Sequence, residues 1–456
     1  MPGETIPVPR APGHLPLLGH AVKLWRDPLG FLTSLRNSGE LVRVGFGSLP
    51  VYVATSARMV QEVTVRQARY FEKGRLFDRV RPLVGNGLAN SNGDIHRTHR
   101  RLMQPLFRQE RLATYADTMS RRAEALAESW APGQVIAVEE AMSAFMIGTL
   151  AETMFATDLG QAAVEGVRRD LPVILKNMLL RAASPRFLDH LPIPPNRAFD
   201  AAAARMRTVI DDVIVATRQA GTDDRHDLVS VLLAARDTDT GVCLTDTEVR
   251  DQVVTILFAG TETTASTVSW ALLELGRHPE VEHEVVQEVL EVVGDRPIAL
   301  SDIPRLGVLR RVLDEVIRLY GVTLLMRRAT ADVDLGGHYI PAGSEVAFSL
   351  YALHRDPSLF EDPDRFVPDR WLPERRTRLQ REEFVPFGAG NRKCIGETFS
   401  WTEATIVLAT VLRRWALRPL PGHTPRAAAS AMAHPDHVPM RIEPRDRTGP
   451  RLSGTI

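Results

Sequence analysis

Apolar and polar residues alternate over Leu41-Val42-Arg43-Val44-Gly45-Phe46 and over Val51-Tyr52-Val53-Ala54, on either side of Gly47-Ser48-Leu49-Pro50. Two such runs around a short Gly/Pro segment predict a β-hairpin. From about Ala57 to Ala235 the period becomes that of helices, interrupted by Gly/Pro/Asn loops at 83–93, 184–197 and 220–225. Thr245-Asp246-Thr247-Glu248 sets a Glu three residues after a Thr, the pattern of a capping box, and opens the longest helical stretch, to about Arg277. At about 1.5 Å per residue that helix is roughly 48 Å long, enough to cross the whole molecule. Further helices are expected at about Pro279–Val293, stopped by Gly294, at Pro304–Tyr320, and after Cys394 to about Trp415. Short strands are expected at Ala331–Leu335, His338–Ile340 and Glu345–Ser349. Irregular Pro-rich chain covers 356–373, and extended chain precedes Pro28.

Helices outnumber strands, and the strands flank a helical middle. The pattern predicts a mainly α chain with a small β-rich lobe, organised as one domain over 1–456. Its β-rich parts lie at about 38–56 and 322–350, its helical part at about 57–320, and a flexible tail at 445–456. An apolar fraction of 44% with 25% charged residues excludes wholesale disorder. Lys+Arg and Asp+Glu both number 56, a zero balance that argues against nucleic-acid coating or polybasic membrane binding. Two cysteines, Cys243 and Cys394, build no disulfide framework, which suits a cytoplasmic protein. No targeting segment and no apolar run long enough for a membrane anchor is read.

The most informative segment is Phe387-Gly388-Ala389-Gly390-Asn391-Arg392-Lys393-Cys394-Ile395-Gly396, a glycine-rich loop leading a cysteine into a helix. Glycines let the backbone turn tightly and approach a flat partner. Arg392 sets a cation near the cysteine, and cations and helix N-termini both favour a thiolate. Phe-x-x-Gly-x-Arg-x-Cys-x-Gly resembles the haem-binding signature of the cytochrome P-450 monooxygenases at every specified position. The resemblance implies that fold, with haem b between the long central helix and the cysteine-loop helix, in the loop at 387–396. It implies Cys394 as axial ligand of the haem iron, Phe387 near its sulfur, Gly396 in the loop, and Arg392 on a haem propionate. Glu315-Val316-Ile317-Arg318 and Phe366-Val367-Pro368-Asp369-Arg370-Trp371 resemble two further family segments. They imply a buried triad of Glu315, Arg318 and Arg370 that holds the cysteine loop.

In Ala259-Gly260-Thr261-Glu262-Thr263-Thr264 of the long helix, small residues permit close approach of a ligand, and Thr hydroxyls can open the helical ladder. The resemblance makes Ala259 and Gly260 part of an oxygen-binding groove, and Glu262 and Thr263 a catalytic acid–alcohol pair that delivers protons. It also puts His96, Arg100 and Arg327 at propionate-binding positions, with His96 departing from the family's frequent Trp. The implied reaction inserts one oxygen atom from O2 into a C–H bond of a hydrophobic small molecule. Electrons then come from NAD(P)H through a ferredoxin and ferredoxin reductase, since neither a nucleotide fingerprint nor an Fe–S cysteine set is present. Arg97, Arg101, Arg108, Arg392 and Lys393 are read as a basic face for an acidic ferredoxin, on a protein acting as a monomer.

Substrate contacts are expected from Phe77–Ala89, Leu175–Leu180, Phe258, Val322–Met326 and Met432. Leu15-Pro16-Leu17-Leu18-Gly19-His20, Arg26-Asp27-Pro28 and Trp371-Leu372-Pro373-Glu374-Arg375 are similar to actinobacterial sesquiterpene oxidases of the pentalenene oxygenase type. A terpene is therefore the expected substrate. Macrolide, fatty-acid or steroid hydroxylation, and a haem-thiolate gas sensor without turnover, are the alternatives.

Overall fold

The computed structural model describes residues 6–47, 49–154, 165–174, 191–221, 227–237, 241–376 and 382–445. The expected contacts at Leu175–Leu180, residues 184–190 and 222–225 of the expected loops, and nearly all of the tail lie outside them.

The hairpin forms as expected, Leu41–Phe46 against Leu49–Ala54. Its alternation buries Val42, Val44, Val51 and Val53 on one side. The second strand pairs in parallel with Glu345–Phe348. That strand pairs antiparallel with Leu325–Ala329, which pairs in turn with Phe71–Lys73. The result is a five-stranded sheet whose far edge carries Lys73 opposite Arg327. Leu325–Ala329 falls within the β-rich part expected at 322–350, whereas Phe71–Lys73 was not expected as a strand. Three residues of Phe71–Lys73 carry no readable period, and their partner is distant in sequence. The C-terminal strands Trp415–Pro419, Ala427–Ala429, Ala433–Pro435 and Pro439–Pro444 also lie outside the predicted β-rich parts. Pro304 sits in a 3-10 turn, Leu300–Arg305, and the helix that follows starts at Gly307.

The long helix runs Asp246–Arg277 without a break. Thr245 accepts from the Glu248 N–H, and the Glu248 carboxylate accepts from the Thr245 N–H, so the capping box is closed. Apolar residues bury on every side of this helix, as a central core helix requires. Several of its hydroxyls are satisfied locally: Thr261, Thr263, Thr267 and Ser269 each donate to the carbonyl four residues back. Among the described residues no helix is long and apolar enough to cross a membrane.

Glu315 and Arg318 lie one turn apart on the helix Gly307–Leu319, and both side chains are fully buried. Arg318 donates from Nε and Nη2 to the two Glu315 oxygens, both at 2.9 Å. Arg370 Nε, the Val367 N–H and Trp371 Nε1 complete the carboxylate's partners at 2.9–3.0 Å. Arg318 also donates to the carbonyls of His354, Pro363 and Arg365. Trp371 was not assigned a part from the sequence, yet its ring meets Phe384 at 4.3 Å, just before the cysteine loop. Glu315→Ala is expected to destabilise the protein by about 3–5 kcal/mol, because it strands a buried guanidinium. Urea unfolding measures this, and a loss under about 1 kcal/mol, the size of a surface pair, would contradict the buried role.

Candidate active site

The cysteine loop is shaped by its glycines. Gly388 and Gly390 have φ of +73° and +67°, in the left-handed region. A Cβ on Gly390 would also lie 2.1 Å from the Thr64 carbonyl oxygen. The loop closes through the Cys394 N–H, which donates to the Phe387 carbonyl at 2.9 Å. The ring of Phe387 meets Trp401 edge-on at 5.3 Å. Cys394 then lies three residues before Glu397–Arg414, whose N-cap is Gly396. The thiol is exposed to a cleft rather than to open solvent: protein surrounds it closely enough that burial pushes its pKa up. The Gly396 N–H and the charges of Arg100 and Lys393 act the other way, towards thiolate. Gly396 has φ −88°, and a Cβ there would make ordinary contact 4.0 Å from the sulfur. The polypeptide alone does not demand glycine at this position.

Cations gather beside this loop. Arg327 is buried, Arg392 and Lys73 are half-buried, and none of the three pairs with a carboxylate among the described residues. Arg327 donates to the Met326 carbonyl, and Arg392 donates to the Ser91 carbonyl and Asn92 Oδ1. Lys73 lies over the Phe77 ring at 4.1 Å. Burial, then the charge of Arg392, pulls Arg327 down to about 10, and burial, then Arg100, does the same to Arg392. Burial with Arg327 and Arg392 pulls Lys73 well below the usual lysine range. His96 is buried and pulled down to about 3 by burial, then by Arg392, Lys73, Arg100 and His99, so it is neutral. Arg100 donates to the Lys393 carbonyl at 2.7 Å, bridging its helix to the loop. Lys73 is the residue that sequence reasoning missed. Only its adjacency to Arg327 across the sheet reveals it.

Unpartnered buried cations are costly, and a bound anion removes that cost. The chemistry of this set fits haem b: its propionates suit the cations, and its iron suits the Cys394 sulfur.

The long helix contributes residues 259–264. Ala259 is exposed to the cleft, and the Thr263 hydroxyl donates to its carbonyl at 2.8 Å. The ladder is not opened here, contrary to the expectation, because the hydroxyl joins the helical hydrogen bonds instead of displacing them. Gly260 lies next to Ala259 on this helix. A Cβ there would press on Leu150 Cδ2 at 3.0 Å, so its small size serves the packing of the long helix on Val138–Met154. Thr264 and Ser400 share a hydroxyl hydrogen bond of 3.0 Å, fixing this turn to the cysteine-loop helix. Glu262 and Thr263 do not bond each other. Neighbours on a helix point about 100° apart, and Glu262 instead accepts from the Ser430 hydroxyl.

Two expectations about surfaces change. Arg97 pairs with Asp94, Arg101 with Asp237, and Lys393 with Glu397, while Arg392 turns into the cleft. Local carboxylates thus offset most of the predicted basic face. Of the expected substrate contacts, Leu83, Val84, Leu88, Phe258, Met326 and Met432 are buried in the hydrophobic core. The loop 85–91 is strapped to the long helix, Asn86 N–H to Asp251 Oδ2 at 2.7 Å and Leu88 N–H to Gln252 Oε1 at 2.8 Å.

Comparison with known proteins bears on the whole chain. A family model described as Cytochrome P450 matches residues 9–437. Cyclooctatin synthase of Streptomyces melanosporofaciens is 42% identical over 439 residues, 95% of each chain. Cyclooctat-9-en-7-ol 5-monooxygenase of the same organism is 41% identical over 437 residues, again 95% of each. Pentalenene oxygenase of Streptomyces avermitilis is 36% identical over 448 residues, 98% of this chain and 99% of its own. Among solved structures, the crystal structure of the cytochrome P450DA heme domain superposes with a TM-score of 0.85 at 28% identity, covering 97% and 98% of the two chains. Agreement on sequence and fold along nearly the full length leaves one conclusion: this chain belongs to the cytochrome P450 family, and haem is its prosthetic group.

Proposed function

We propose that this protein is a haem-thiolate monooxygenase that inserts one oxygen atom from O2 into a C–H bond of a terpene in secondary metabolism. The observation that carries the reading is the cleft at the cysteine loop, where Cys394 faces inward beside three cations without carboxylate partners. The substrate class rests on relatives whose names specify cyclooctat-9-en-7-ol and pentalenene, compounds named as an alkenol and an alkene. Apolar surroundings suit such skeletons.

Haem, which the Cys394 sulfur would hold, would supply the activation of dioxygen. The residues of the chain prepare that site. Cys394 would hold the iron as its thiolate, because a metal-binding thiol must be deprotonated. The Gly396 N–H, Arg100 and Lys393 oppose the burial that would otherwise keep the thiol neutral. Lys73, Arg327 and Arg392 hold the propionates, with neutral His96 and Arg100 beside them. Thr263 holds a proton at its hydroxyl at the cleft, and Glu262 is the carboxylate that exchanges protons with water. Electrons come from NAD(P)H through a separate ferredoxin and reductase. The enzyme works as a monomer in the cytoplasm.

The reduced protein under carbon monoxide is expected to show the red-shifted band of a thiolate-ligated haem, and Cys394→Ser to lose it. An unchanged band in the variant rules out Cys394. With ferredoxin, reductase and NADPH, cyclooctat-9-en-7-ol or pentalenene is expected to gain one oxygen atom. Substrate untouched beside a normal carbon monoxide complex would point to a binding protein instead.

Replacing Lys73 and Arg327 together by Met is expected to speed haem transfer to a scavenger by about tenfold or more, the worth of charge-assisted hydrogen bonds. Unchanged retention would exclude them as propionate partners. Thr263→Ala is expected to divert NADPH electrons from product to hydrogen peroxide while NADPH oxidation continues. Unaltered coupling would remove Thr263 from proton delivery.

A further inference from the structure

The strands Ala427–Ala429 and Ala433–Pro435 form a hairpin whose turn is Ser430, Ala431 and Met432. The turn is held from two sides. Thr323 donates from its hydroxyl to the Ser430 carbonyl and from its N–H to the Ala431 carbonyl, and the Ala433 N–H donates to the Gly321 carbonyl. On the other side the Ala433 carbonyl accepts from Ser266 Oγ at 3.4 Å and Trp270 Nε1 at 2.7 Å, both on the long helix. Within the turn the Ser430 N–H donates to the Met432 carbonyl at 3.0 Å. The Ser430 backbone is thereby fixed, and its hydroxyl donates to Glu262 Oε1.

Glu262, Ser266 and Trp270 are spaced by four residues and lie on one face of the long helix. That face packs on the hairpin, whereas Ala259 and Thr263 form the adjacent face at the cleft. The Glu262 carboxylate therefore docks on the hairpin, about one and two turns before Ser266 and Trp270, the two residues that anchor Ala433. We propose that Ser430 is a positioning residue: it fixes the Glu262 carboxylate, and so ties proton delivery to the hairpin that carries Met432. This rests on the reading of Glu262 and Thr263 as the proton-delivering pair.

The test uses the haem-loaded full chain with Ser430→Ala, Ser430→Thr, Glu262→Gln and the double variant that combines Ser430→Ala with Glu262→Gln. Urea unfolding of the four forms of the Ser430/Glu262 cycle reads the contact without turnover, and non-additive effects are expected. With ferredoxin, reductase, NADPH and cyclooctat-9-en-7-ol as probe, the fraction of electrons recovered as hydrogen peroxide reads proton delivery. Ser430→Ala is expected to raise the ratio of peroxide to other products by about fivefold, the worth of one ordinary hydrogen bond. It should also change the solvent deuterium isotope effect. Ser430→Thr, which keeps the donor, should restore both, and Ser430→Ala should add nothing once Glu262→Gln is in place. Additive unfolding effects overturn the proposal, because the contact is then absent. If Glu262→Gln raises the peroxide ratio and Ser430→Ala does not, Ser430 is structural only, and the reading of Glu262 stands. If Glu262→Gln itself changes neither readout, that reading fails and the inference falls with it.

Discussion

The carboxylate of Glu315 is the constraint on which the rest is built. It is fully buried and accepts five donors: two nitrogens of Arg318, one of Arg370, the Val367 N–H and the Trp371 indole. A buried charge is tolerable only with such saturation. Saturating it fixes chain that has almost no regular structure of its own. Arg318 alone gathers the carbonyls of His354, Pro363 and Arg365. From Trp371 the constraint passes through the Phe384 ring, and His354 accepts from the Val385 N–H, so the residues before Phe387 inherit a fixed place. The cysteine loop is thus suspended from a buried ion pair rather than from a helix or sheet.

The second organising force works in the opposite sense. Where Glu315 has a full set of partners, burial lowers the pKa values of Lys73, Arg327 and Arg392, neighbouring cations lower them further, and the three have carbonyls, an amide oxygen and an aromatic face for company. Folding alone gains nothing from bringing like charges into one cleft. A dianionic ligand converts that repulsion into attraction, which is how prosthetic-group binding and stability come to be linked. The balanced sum of charges over the chain conceals this. Outward-facing arginines such as Arg97 and Arg101 have carboxylates beside them, and the unbalanced charge is concentrated inside.

Features that depend on neighbours in sequence were legible. The capping box at Thr245 and Glu248, the hairpin at 41–54 and the cysteine loop each declare themselves within a few residues. Contacts between remote segments were not. Phe71–Lys73 becomes a strand only because Leu325–Ala329 lies beside it, and that pairing alone puts Lys73 among the cations. A sequence signal did exist, since Lys73 is one of four lysines in an Arg-rich chain, but it says nothing about place. Gly260 was read as room for a ligand, and its missing side chain also makes room for Leu150. A missing side chain announces close approach without naming the visitor.

The long helix shows why single positions in one short motif have such different tasks. At about 100° per residue, consecutive side chains leave the helix in separate directions. Gly260 lets the helix lie against Leu150, Thr264 reaches Ser400 on the cysteine-loop helix, and Glu262 reaches Ser430 on the C-terminal hairpin. Ala259 and Thr263 keep the cleft. Three packing contacts therefore surround the one turn left to chemistry, and each comes from a different part of the chain. Precision at Thr263 is a property of those contacts, since a hydroxyl bonded to its own helix has no other means of being aimed.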